Sequence, residues 1–248
     1  MKLEGKRVVI TGGTSGIGSA FSEAAARAGA RVLICGRSGE RVEEASRRLG
    51  VDGVACDLGD PAQLESLLEA ADDRLGGLDV LVHNAGIQRQ LLMIPGGETA
   101  DDGGLCREIE VNLSAPVRLT WLALPMLLEA ASNGGAALVF VTSALALAPK
   151  ASAPVYCASK AGLRSFAKSV RRQLAGHGIS VLEVVPPVVD TEMTAGRDEP
   201  KIAPQRVAEA IIEGLESGRD EVLIGKARLV SRLIRLAPGF TERLMAET

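Results

Sequence analysis

The sequence is poor in aromatic residues, in histidine and in paired cysteines. Only 2% of its 248 residues are aromatic, with Trp121 as the sole tryptophan and Tyr156 as the sole tyrosine. Binding of single-stranded nucleic acid usually needs several aromatic side chains in a basic groove, and this chain has a formal net charge of -3. The two histidines, and four cysteines without a C-x-x-C pair, argue against a zinc site and a disulfide framework. We therefore expect no nucleic-acid partner, no metal and reduced thiols.

Long hydrophobic runs are also missing from the sequence. Residues 1–13 lack the apolar stretch of a signal peptide, because only three apolar residues in a row precede a glycine-rich turn. The most apolar stretch, 119–131, is shorter than the roughly 18 residues of a membrane span and contains Pro125 and Glu129. The sequence therefore predicts a soluble protein located in the cytoplasm.

Short apolar runs alternate with amphipathic helical patterns along the chain. The runs are apolar on both faces, as in a parallel sheet that helices cover on both sides. This alternation predicts an α/β fold, with a doubly wound parallel sheet of the Rossmann type in three α/β/α layers and one domain over residues 1–225. The predicted strands are 7–11, 30–35, 51–55, 79–83, 136–142, 179–185 and 221–224. The predicted helices are 16–28, 39–49, 60–75, 105–132, 154–176 and 204–217.

Two segments interrupt this alternation. Residues 94–104 contain four Gly, one Pro and three acidic residues, which predicts a mobile surface loop. Residues 186–203 contain three Pro and predict a second loop. Loops at the carboxyl ends of parallel strands often form ligand sites. For residues 94–104, a plain surface loop is the alternative interpretation.

A glycine-rich turn follows the first predicted strand. It reads Thr11-Gly12-Gly13-Thr14-Ser15-Gly16-Ile17-Gly18. Glycines let the backbone approach a pyrophosphate, and the free N–H groups at the start of the next helix attract the anion. A P-loop is excluded because no Lys-Ser/Thr pair follows the last glycine. We interpret the turn as a dinucleotide-binding element, with a purely structural turn as the alternative.

A basic residue follows the second predicted strand. Where an acidic residue would bind the ribose 2′-OH of NAD, the sequence has Gly36, followed by Arg37 and Ser38. A guanidinium pairs with a 2′-phosphate, which an acidic side chain would repel. The sequence therefore favours NADP(H) over NAD(H), and the alternative is that Arg37 is a solvated loop charge.

Tyr156 and Lys160 are spaced i and i+4 in a predicted helix, so that both side chains lie on one face. A phenol with a pKa near 10 is a poor acid or base at neutral pH. A lysine cation about 4 Å away would lower this pKa by up to about 3, into the range of general acid–base catalysis. A surface pair is the alternative.

Two further polar residues are candidates for the same site. Ser143 follows a predicted strand, so that its hydroxyl can point into the cleft and donate to a substrate carbonyl, and a turn-forming serine is the alternative. Asn112 interrupts a helical pattern, which also fits a local kink or a side chain that satisfies a backbone carbonyl.

Taken together, these motifs resemble the short-chain dehydrogenase/reductase family over about residues 1–225. The matching residues are the turn at 11–18, Asp57 after the third strand, Asn84-Ala85-Gly86 after the fourth, Asn112, Ser143, Tyr156 and Lys160. The resemblance implies that Tyr156 is the catalytic acid/base and that Lys160 lowers its pKa and holds the nicotinamide ribose. It also implies that Ser143 polarises the substrate carbonyl and that Asn112 holds a water in a proton relay.

The resemblance further implies a set of cofactor contacts. Asp57 would meet the adenine, and Thr191 would reach the nicotinamide amide. The implied cofactor-binding residues are Gly12, Thr14, Ser15, Gly16, Ile17, Gly18, Arg37, Ser38, Asp57, Leu58, Asn84, Ala85, Gly86, Tyr156, Lys160, Pro186, Val189 and Thr191.

The sequence departs from the family pattern at three positions, one of which is Ser15, where many NADP-preferring members carry a basic residue. His83 stands where the family often has Asn, and we expect a buried histidine satisfied by the backbone rather than a catalytic one. Pro187 stands where a glycine usually follows the proline after the sixth strand, so that loop closure over the nicotinamide can differ.

We therefore expect an NADP(H)-dependent carbonyl reductase or alcohol dehydrogenase. A non-catalytic nucleotide-binding regulatory or scaffold protein on the same fold is the alternative. A serine hydrolase is disfavoured because the chain has no G-x-S-x-G elbow. The resemblance implies a homodimer or homotetramer formed through the helices that hold Asn112 and Tyr156. The pocket should be lined by residues 87–94, 144–151 and 188–203, which are mostly apolar with few hydrogen-bond donors, and this indicates a moderately hydrophobic carbonyl compound.

Residues 226–248 form a predicted C-terminal tail with five basic and two acidic residues. Apolar residues over 226–237 recur at helical spacing, and three arginines cover another face of the same helix. We expect this basic amphipathic helix to pack on its own domain or on a sister subunit, with contact to a membrane surface as the alternative. Pro238 and Gly239 should break it before a last short helix.

Overall fold

The computed structural model describes residues 1–90, 93 and 102–246. Within this part of the chain, seven strands form one parallel sheet. They are β1 (Arg7–Thr11), β2 (Arg31–Gly36), β3 (Asp52–Ala55), β4 (Val80–His83), β5 (Ala136–Val141), β6 (Ile179–Val185) and β7 (Glu221–Leu223). The strand order is β3-β2-β1-β4-β5-β6-β7, so that the winding reverses between β1 and β4. At such a reversal the loops at the carboxyl ends of the strands open a crevice for ligands.

Helices cover both faces of this sheet. They are α1 (Gly16–Arg27), α2 (Gly39–Leu49), α3 (Pro61–Leu75), α4 (Asp102–Ile109), α5 (Ala115–Ser132), α6 (Pro154–Gln173), α7 (Pro204–Glu216), α8 (Lys226–Leu236) and α9 (Pro238–Ala246). One face packs against α3, α5 and α6, and the other packs against α1, α2 and α7. This arrangement gives the predicted three α/β/α layers.

Alternate residues of each strand belong to two separate cores. In β5, Leu138 and Phe140 pack in the core beneath α5 and α6, whereas Ala137 and Val139 pack in the core on the opposite face. All four side chains are fully buried. Because both faces of the strand are covered, its sequence is apolar without alternation.

The predicted doubly wound sheet is confirmed, and each strand lies within one residue of its predicted bounds. The prediction of one continuous helix over 105–132 is wrong. The helix begins at Asp102, and a π-helix over Glu110–Ser114 separates α4 from α5. The last three residues of the predicted loop 94–104 are therefore helical, and the rest of that loop lies outside the described residues.

The helix predicted over 154–176 ends three residues early, at Gln173. Residues 174–178 form a turn instead, because Gly176 and Gly178 both have positive φ. Glycine adopts this backbone conformation without the steric cost that other residues meet.

The loop over 186–203 is closed upon itself. A short 3-10 turn spans Glu192–Thr194, and Val189 pairs with Ile202 in an isolated parallel bridge. The backbone carbonyl of Pro186 also accepts a hydrogen bond from Ala144 N (3.0 Å). The loop is therefore held against the ends of β5 and β6 over the cleft.

The C-terminal tail packs on the domain. In α8, Ala227 and Ser231 are buried, and Thr241 of α9 is almost completely buried. The carbonyl of Ala246 accepts a hydrogen bond from Ala151 N (3.4 Å), on the loop before α6. The tail therefore covers one end of the cleft described below.

Residues 104–132 form the single described stretch that is long and apolar enough to cross a membrane, with a mean hydropathy of 1.3 over its best window. Length and hydropathy alone also describe the core helices of folded domains. In this stretch Leu119, Ala123 and Leu127 are buried in the core between sheet and helices. The stretch therefore has a packed position within the domain.

Candidate active site

One large cleft runs along the carboxyl edge of the sheet, with a volume of about 670 Å³. It is lined by the glycine-rich turn, the loops after the strands, α6 and the tail. The predicted site residues that line it are Gly12, Thr14, Ser15, Gly16, Ile17, Arg37, Asp57, Leu58, Asn84, Ala85, Gly86, Ser143, Tyr156, Lys160, Pro186, Val189 and Thr191. Three other predicted residues, Gly18, Ser38 and Asn112, lie outside this lining. Each contacts neighbouring backbone or side chains instead.

The glycine-rich turn presents the start of α1 to the cleft. Ser15 is the N-cap residue of α1, and its extended backbone carries no side-chain capping hydrogen bond. The first turn of the helix contains no acidic residue. The N–H groups at the start of a helix attract anions when no side chain caps them. This helix start therefore fits a phosphate group.

Gly18 and Asn84 hold the turn in shape. A Cβ atom on Gly18 would lie 2.2 Å from the carbonyl oxygen of Gly12, a distance that no side chain tolerates. The Asn84 amide donates to the carbonyls of Thr11 (2.9 Å) and Gly12 (3.1 Å). The loop after β4 is thereby tied to the loop after β1.

The end of β2 leaves no room for an acidic residue. A Cβ atom on Gly36 would lie 2.8 Å from the methyl carbon of Thr14. The next residue, Arg37, is exposed, and no ion pair joins it to the described part of the chain. Ser38 does not line the cleft, because its hydroxyl accepts from Arg41 N (3.4 Å) and caps α2.

Asp57 is already paired within the protein. Its carboxylate forms an ion pair with Arg107 of α4 and accepts a hydrogen bond from Gly59 N (3.0 Å). Burial alone would raise the pKa of Asp57, but these donors and the charge of Arg37 outweigh burial and lower it. Arg107 lines the cleft and was not predicted, because α4 reaches Asp57 only through the tertiary fold.

The helix α6 places Tyr156 and Lys160 in the same cleft. The Lys160 ammonium lies 5.9 Å from the centroid of the Tyr156 ring and donates to the carbonyl of Val141 (3.0 Å). Burial raises the pKa of Tyr156 to about 12, although a hydrogen bond with Ser143 lowers it in part. Burial also lowers the pKa of Lys160 to about 8.

The prediction that Lys160 lowers the pKa of Tyr156 is therefore wrong for the protein by itself. The prediction assumes that the ammonium lies about 4 Å from the phenol, whereas in the structure the ammonium donates to Val141 O. Desolvation of the phenol then outweighs the hydrogen bond with Ser143 and the charge of Arg197, which both lower its pKa. In the free protein Tyr156 is a neutral proton donor at pH 7.

The turn-forming role considered for Ser143 is confirmed, and its side chain also lies in the cleft. Its hydroxyl accepts a hydrogen bond from Leu145 N (3.1 Å) and caps the 3-10 turn over Ala144–Ala146. The same side chain lines the cleft beside Tyr156. The turn fixes the hydroxyl at the carboxyl end of β5, where it can reach a carbonyl oxygen.

Asn112 lies at the centre of the π-helix and is fully buried. Its Oδ1 accepts from Ile87 N (2.9 Å), and its Nδ2 donates to Ile87 O (2.8 Å) and to Ser159 Oγ (3.1 Å). Both ends of the amide thus have protein partners. The side chain ties the loop after β4 to α6, which agrees with the kink and the backbone-satisfying role considered for it.

His83 is structural. Its Nε2 contacts the Thr120 hydroxyl (2.9 Å), and its ring stacks on Phe140 with centroids 4.8 Å apart. Burial and the charge of Lys160 lower the pKa of His83 to about 3, so that the ring is neutral. Its partner is a side-chain hydroxyl rather than the predicted backbone group.

The other end of the cleft is more polar than the sequence predicts. Lys150, Arg197, Glu199 and Gln88 line it, together with residues of the C-terminal tail. The predicted segments 87–94, 144–151 and 188–203 each contribute to this lining, and apolar surface predominates in the cleft as expected. The four charged or amide side chains within these segments supply more polar groups than the sequence analysis anticipates.

This geometry agrees with what the comparisons with known proteins find. Residues 6–201 match the family model described as short chain dehydrogenase. The chain is 39% identical over 229 residues to an uncharacterized oxidoreductase, DltE, of Bacillus subtilis, covering 90% of this chain and 89% of the relative. It is 35% identical over 207 residues to the 3-oxoacyl-[acyl-carrier-protein] reductase FabG of Vibrio cholerae, covering 82% of each chain.

Solved structures give the same result. A short chain dehydrogenase of Burkholderia cenocepacia in complex with NADP has a TM-score of 0.86 at 28% identity and covers 99% of both chains. A 3-ketoacyl-(acyl-carrier-protein) reductase of Brucella melitensis complexed with NADH has a TM-score of 0.82 at 26% identity, covering 88% of this chain and 96% of that one. The chain belongs to the short chain dehydrogenase family, and it is an oxidoreductase.

Proposed function

We propose that this protein transfers a hydride between NADP(H) and a carbonyl compound or secondary alcohol, with Tyr156 as the acid/base. The observation that carries the proposal is one cleft with two halves. The uncapped start of α1 lies in one half, and Tyr156, Ser143 and Lys160 lie in the other. A dinucleotide site and a proton donor thus share a single enclosed volume.

The residues present fit a dinucleotide with a 2′-phosphate. The start of α1 offers free N–H groups for the pyrophosphate. The space that an acidic side chain at position 36 would need is filled by Thr14, and the exposed guanidinium of Arg37 follows. When bound, this cofactor supplies the hydride at the nicotinamide ring. We propose NADP(H) as the preferred form on these residues.

The protein's own groups handle the proton. Tyr156 is protonated at pH 7 in the free protein, because burial raises its pKa to about 12. Its hydroxyl can therefore donate to a carbonyl oxygen, while the fixed Ser143 hydroxyl donates a second hydrogen bond to the same oxygen. In the free protein the Lys160 ammonium is bonded to Val141 O, and we propose that it favours the phenolate that remains only once the cofactor is bound.

We also propose that the chain works in the cytoplasm as a homodimer or homotetramer. On α4 and α5, Ile109, Trp121 and Leu128 are exposed, and the Trp121 side chain is 74% exposed. A contiguous exposed apolar patch marks an association surface, and we propose that these residues of neighbouring helices belong to one. Contact of the tail with a membrane surface is the alternative use of its exposed apolar residues.

The test is oxidation of NADPH, followed at 340 nm, with a panel of ketones, aldehydes and 3-oxoacyl thioesters. Tyr156→Phe should lower kcat by about 10²–10⁴-fold and change the Kd for NADPH far less, because the proton donor is lost while the other cofactor-binding residues remain. Ser165→Ala, which removes an exposed hydroxyl from the same helix, is the matched control and should retain activity. A Tyr156→Phe variant with wild-type turnover would contradict the proposal. Binding of NADPH without turnover of any carbonyl would favour the non-catalytic alternative.

A further inference from the structure

We propose that the carbonyl substrate carries a carboxylate, and that Lys150 binds this carboxylate at the end of the cleft away from the glycine-rich turn. The inference rests on the proposed function, because it places the reacting carbonyl at Tyr156 and Ser143. It adds a substrate class, the oxo acids, and a residue that selects it.

Lys150 is held in place by its backbone. It lies between the 3-10 turn after β5 and the start of α6, the two elements that carry Ser143 and Tyr156. Its carbonyl accepts from Cys157 Sγ (3.8 Å), and the next residue, Ala151, is bonded to Ala246 of the tail. The side chain is 6% exposed and lines the cleft. The position of its charge is therefore fixed relative to the reacting groups.

The Lys150 ammonium has no protein partner. Within residues 1–90, 93 and 102–246, no hydrogen bond or ion pair joins it to another side chain or to a carbonyl. The ammonium itself is not among the fully occluded polar atoms of the described residues, so that it faces the open cleft, but the partial burial of a charge without a paired anion is still costly. Burial and the charge of Arg197 lower the pKa of Lys150, whereas Glu199 opposes them. An anionic ligand would remove this cost.

The neighbouring groups also favour an anion. Arg197 Nη2 donates to Gln88 Oε1 (2.7 Å), which leaves Gln88 Nε2 as a buried donor without a partner in the described part of the chain. Glu199 lies 3.9 Å from Arg197 Nη1, so that this single carboxylate is shared between Arg197 and Lys150 and cannot offset both cations. Lys226, at the start of α8, adds a third cation to the lining. Cations and donors thus exceed carboxylates at this end.

A carboxylate matches this set better than a neutral group does. Its negative charge would pair with the Lys150 ammonium, and the Gln88 amide, in the lining of the same cleft, is a donor without a partner in the described part of the chain. Val230 and Met245 of the tail supply an apolar wall beside these donors. The charge of Arg197 also acts on Tyr156, so that this end of the cleft is within electrostatic reach of the reacting carbonyl. An oxo acid with a short apolar chain would place its carbonyl at Tyr156 and Ser143 and its carboxylate at Lys150.

The test compares matched pairs of substrates with NADPH as reductant. Each pair is an oxo acid and its methyl ester, and the distance between the carbonyl and the acid group increases along the series. For at least one pair, the wild-type protein should prefer the acid by about tenfold or more in kcat/KM. Lys150→Met should lower this acid-to-ester ratio by about tenfold or more, and Lys150→Arg should retain part of it. Lys168→Met removes an exposed lysine of α6 outside the cleft, and it should leave the ratio unchanged.

Two outcomes separate this inference from the proposed function. Turnover of esters at the same rate as acids in the wild type, or a ratio that survives Lys150→Met, would overturn the inference and leave the reductase intact. Loss of turnover for every pair, and for the carbonyl panel, would overturn the proposed function itself. Each outcome is read from the same assay.

A second measurement shows whether Lys150→Met remains folded and whether the lysine is structural. Removing an unpaired buried charge should raise the midpoint of thermal unfolding of the ligand-free protein by about 2–4 °C. A lysine that stabilised the fold would give a lower midpoint. A short-chain saturated carboxylate should raise the midpoint of the wild type but not that of the variant. A carboxylate that raises both midpoints equally would contradict the assignment to Lys150.

Discussion

At the scale of single residues, burial sets the protonation states in this site. Burial raises the pKa of Tyr156 to about 12, and burial with the charge of Lys160 lowers that of His83 to about 3. Both side chains are therefore neutral at pH 7, one as a proton donor and one as a packed ring. The spacing of Tyr156 and Lys160 in the sequence predicts their shared cleft. It does not predict that Lys160 donates to Val141 O, because this contact depends on the packing of α6 against β5.

A single residue, Arg37, also sets the expected preference between NADPH and NADH. Arg37→Ala should lower kcat/KM with NADPH by about 10–100-fold and leave kcat/KM with NADH nearly unchanged, because only the 2′-phosphate loses a charged partner. Steady-state rates with both cofactors measure this. Arg47→Ala removes an exposed arginine of α2 that pairs only weakly with Glu43 (3.8 Å), and it is the matched control. A wild-type preference for NADH, or an unchanged preference in Arg37→Ala, would show that the assignment is wrong.

At the scale of elements, α6 joins the catalytic residues to a buried ion network. Arg164 lies four residues after Lys160, on the same face of the helix. It pairs with Glu183 of β6 (2.7 Å) and with Glu221 of β7 (2.7 Å). Glu183 is fully buried and also accepts from the hydroxyl of Thr142 (2.8 Å), the residue before Ser143. This network fixes α6 against the strand ends that carry the site.

This network predicts a measurable coupling. Arg164→Met should lower the free energy of unfolding by about 3–5 kcal/mol, because it leaves the Glu183 carboxylate buried without its cation. The double variant Arg164→Met/Glu183→Leu should lose less than the sum of the two single variants. Urea unfolding of all four proteins measures the coupling, with the exposed Arg172→Met as a control expected within about 0.5 kcal/mol of wild type. Additive losses would contradict the network.

Some elements could be predicted from sequence, and others could not. The strands could, because a run such as β5 is apolar on both faces and such runs alternate with helical patterns. The π-helix could not, because its extra residue is compensated by contacts of Asn112 with Ile87, 25 positions away in the chain. Glu183, a charged residue within an apolar strand, is the one local sign of the network that α6 completes.

At the scale of the whole molecule, the fold and the first half of the cleft follow from ordered motifs in the sequence. The segments that line the other half are also predicted, but the grouping of the polar side chains of Lys150, Arg197 and Gln88 is not, because it depends on how three loops approach each other in the complete fold. The contribution of the C-terminal tail to the cleft could not be predicted from the sequence either. Its amphipathic pattern predicts a helix that packs on a surface, but Met245 and Val230 line the cleft only because α8 and α9 close over its end. Recognition of the substrate is therefore a property of the assembled chain.

The account as a whole depends on Tyr156 and can be tested on that residue alone, since it is the only tyrosine in the chain. Protein labelled with ¹³C at the tyrosine Cζ carbon gives a single resonance whose shift reports the ionisation of this phenol. In the free protein Tyr156 should titrate near 12. Binding of NADP⁺ should lower the pKa of Tyr156 to about 9 or below, because the positive charges of the nicotinamide ring and of Lys160 favour the phenolate. Lys160→Met should reduce this fall. The same pKa with and without NADP⁺ would contradict the assignment of Tyr156 as the acid/base beside the bound cofactor.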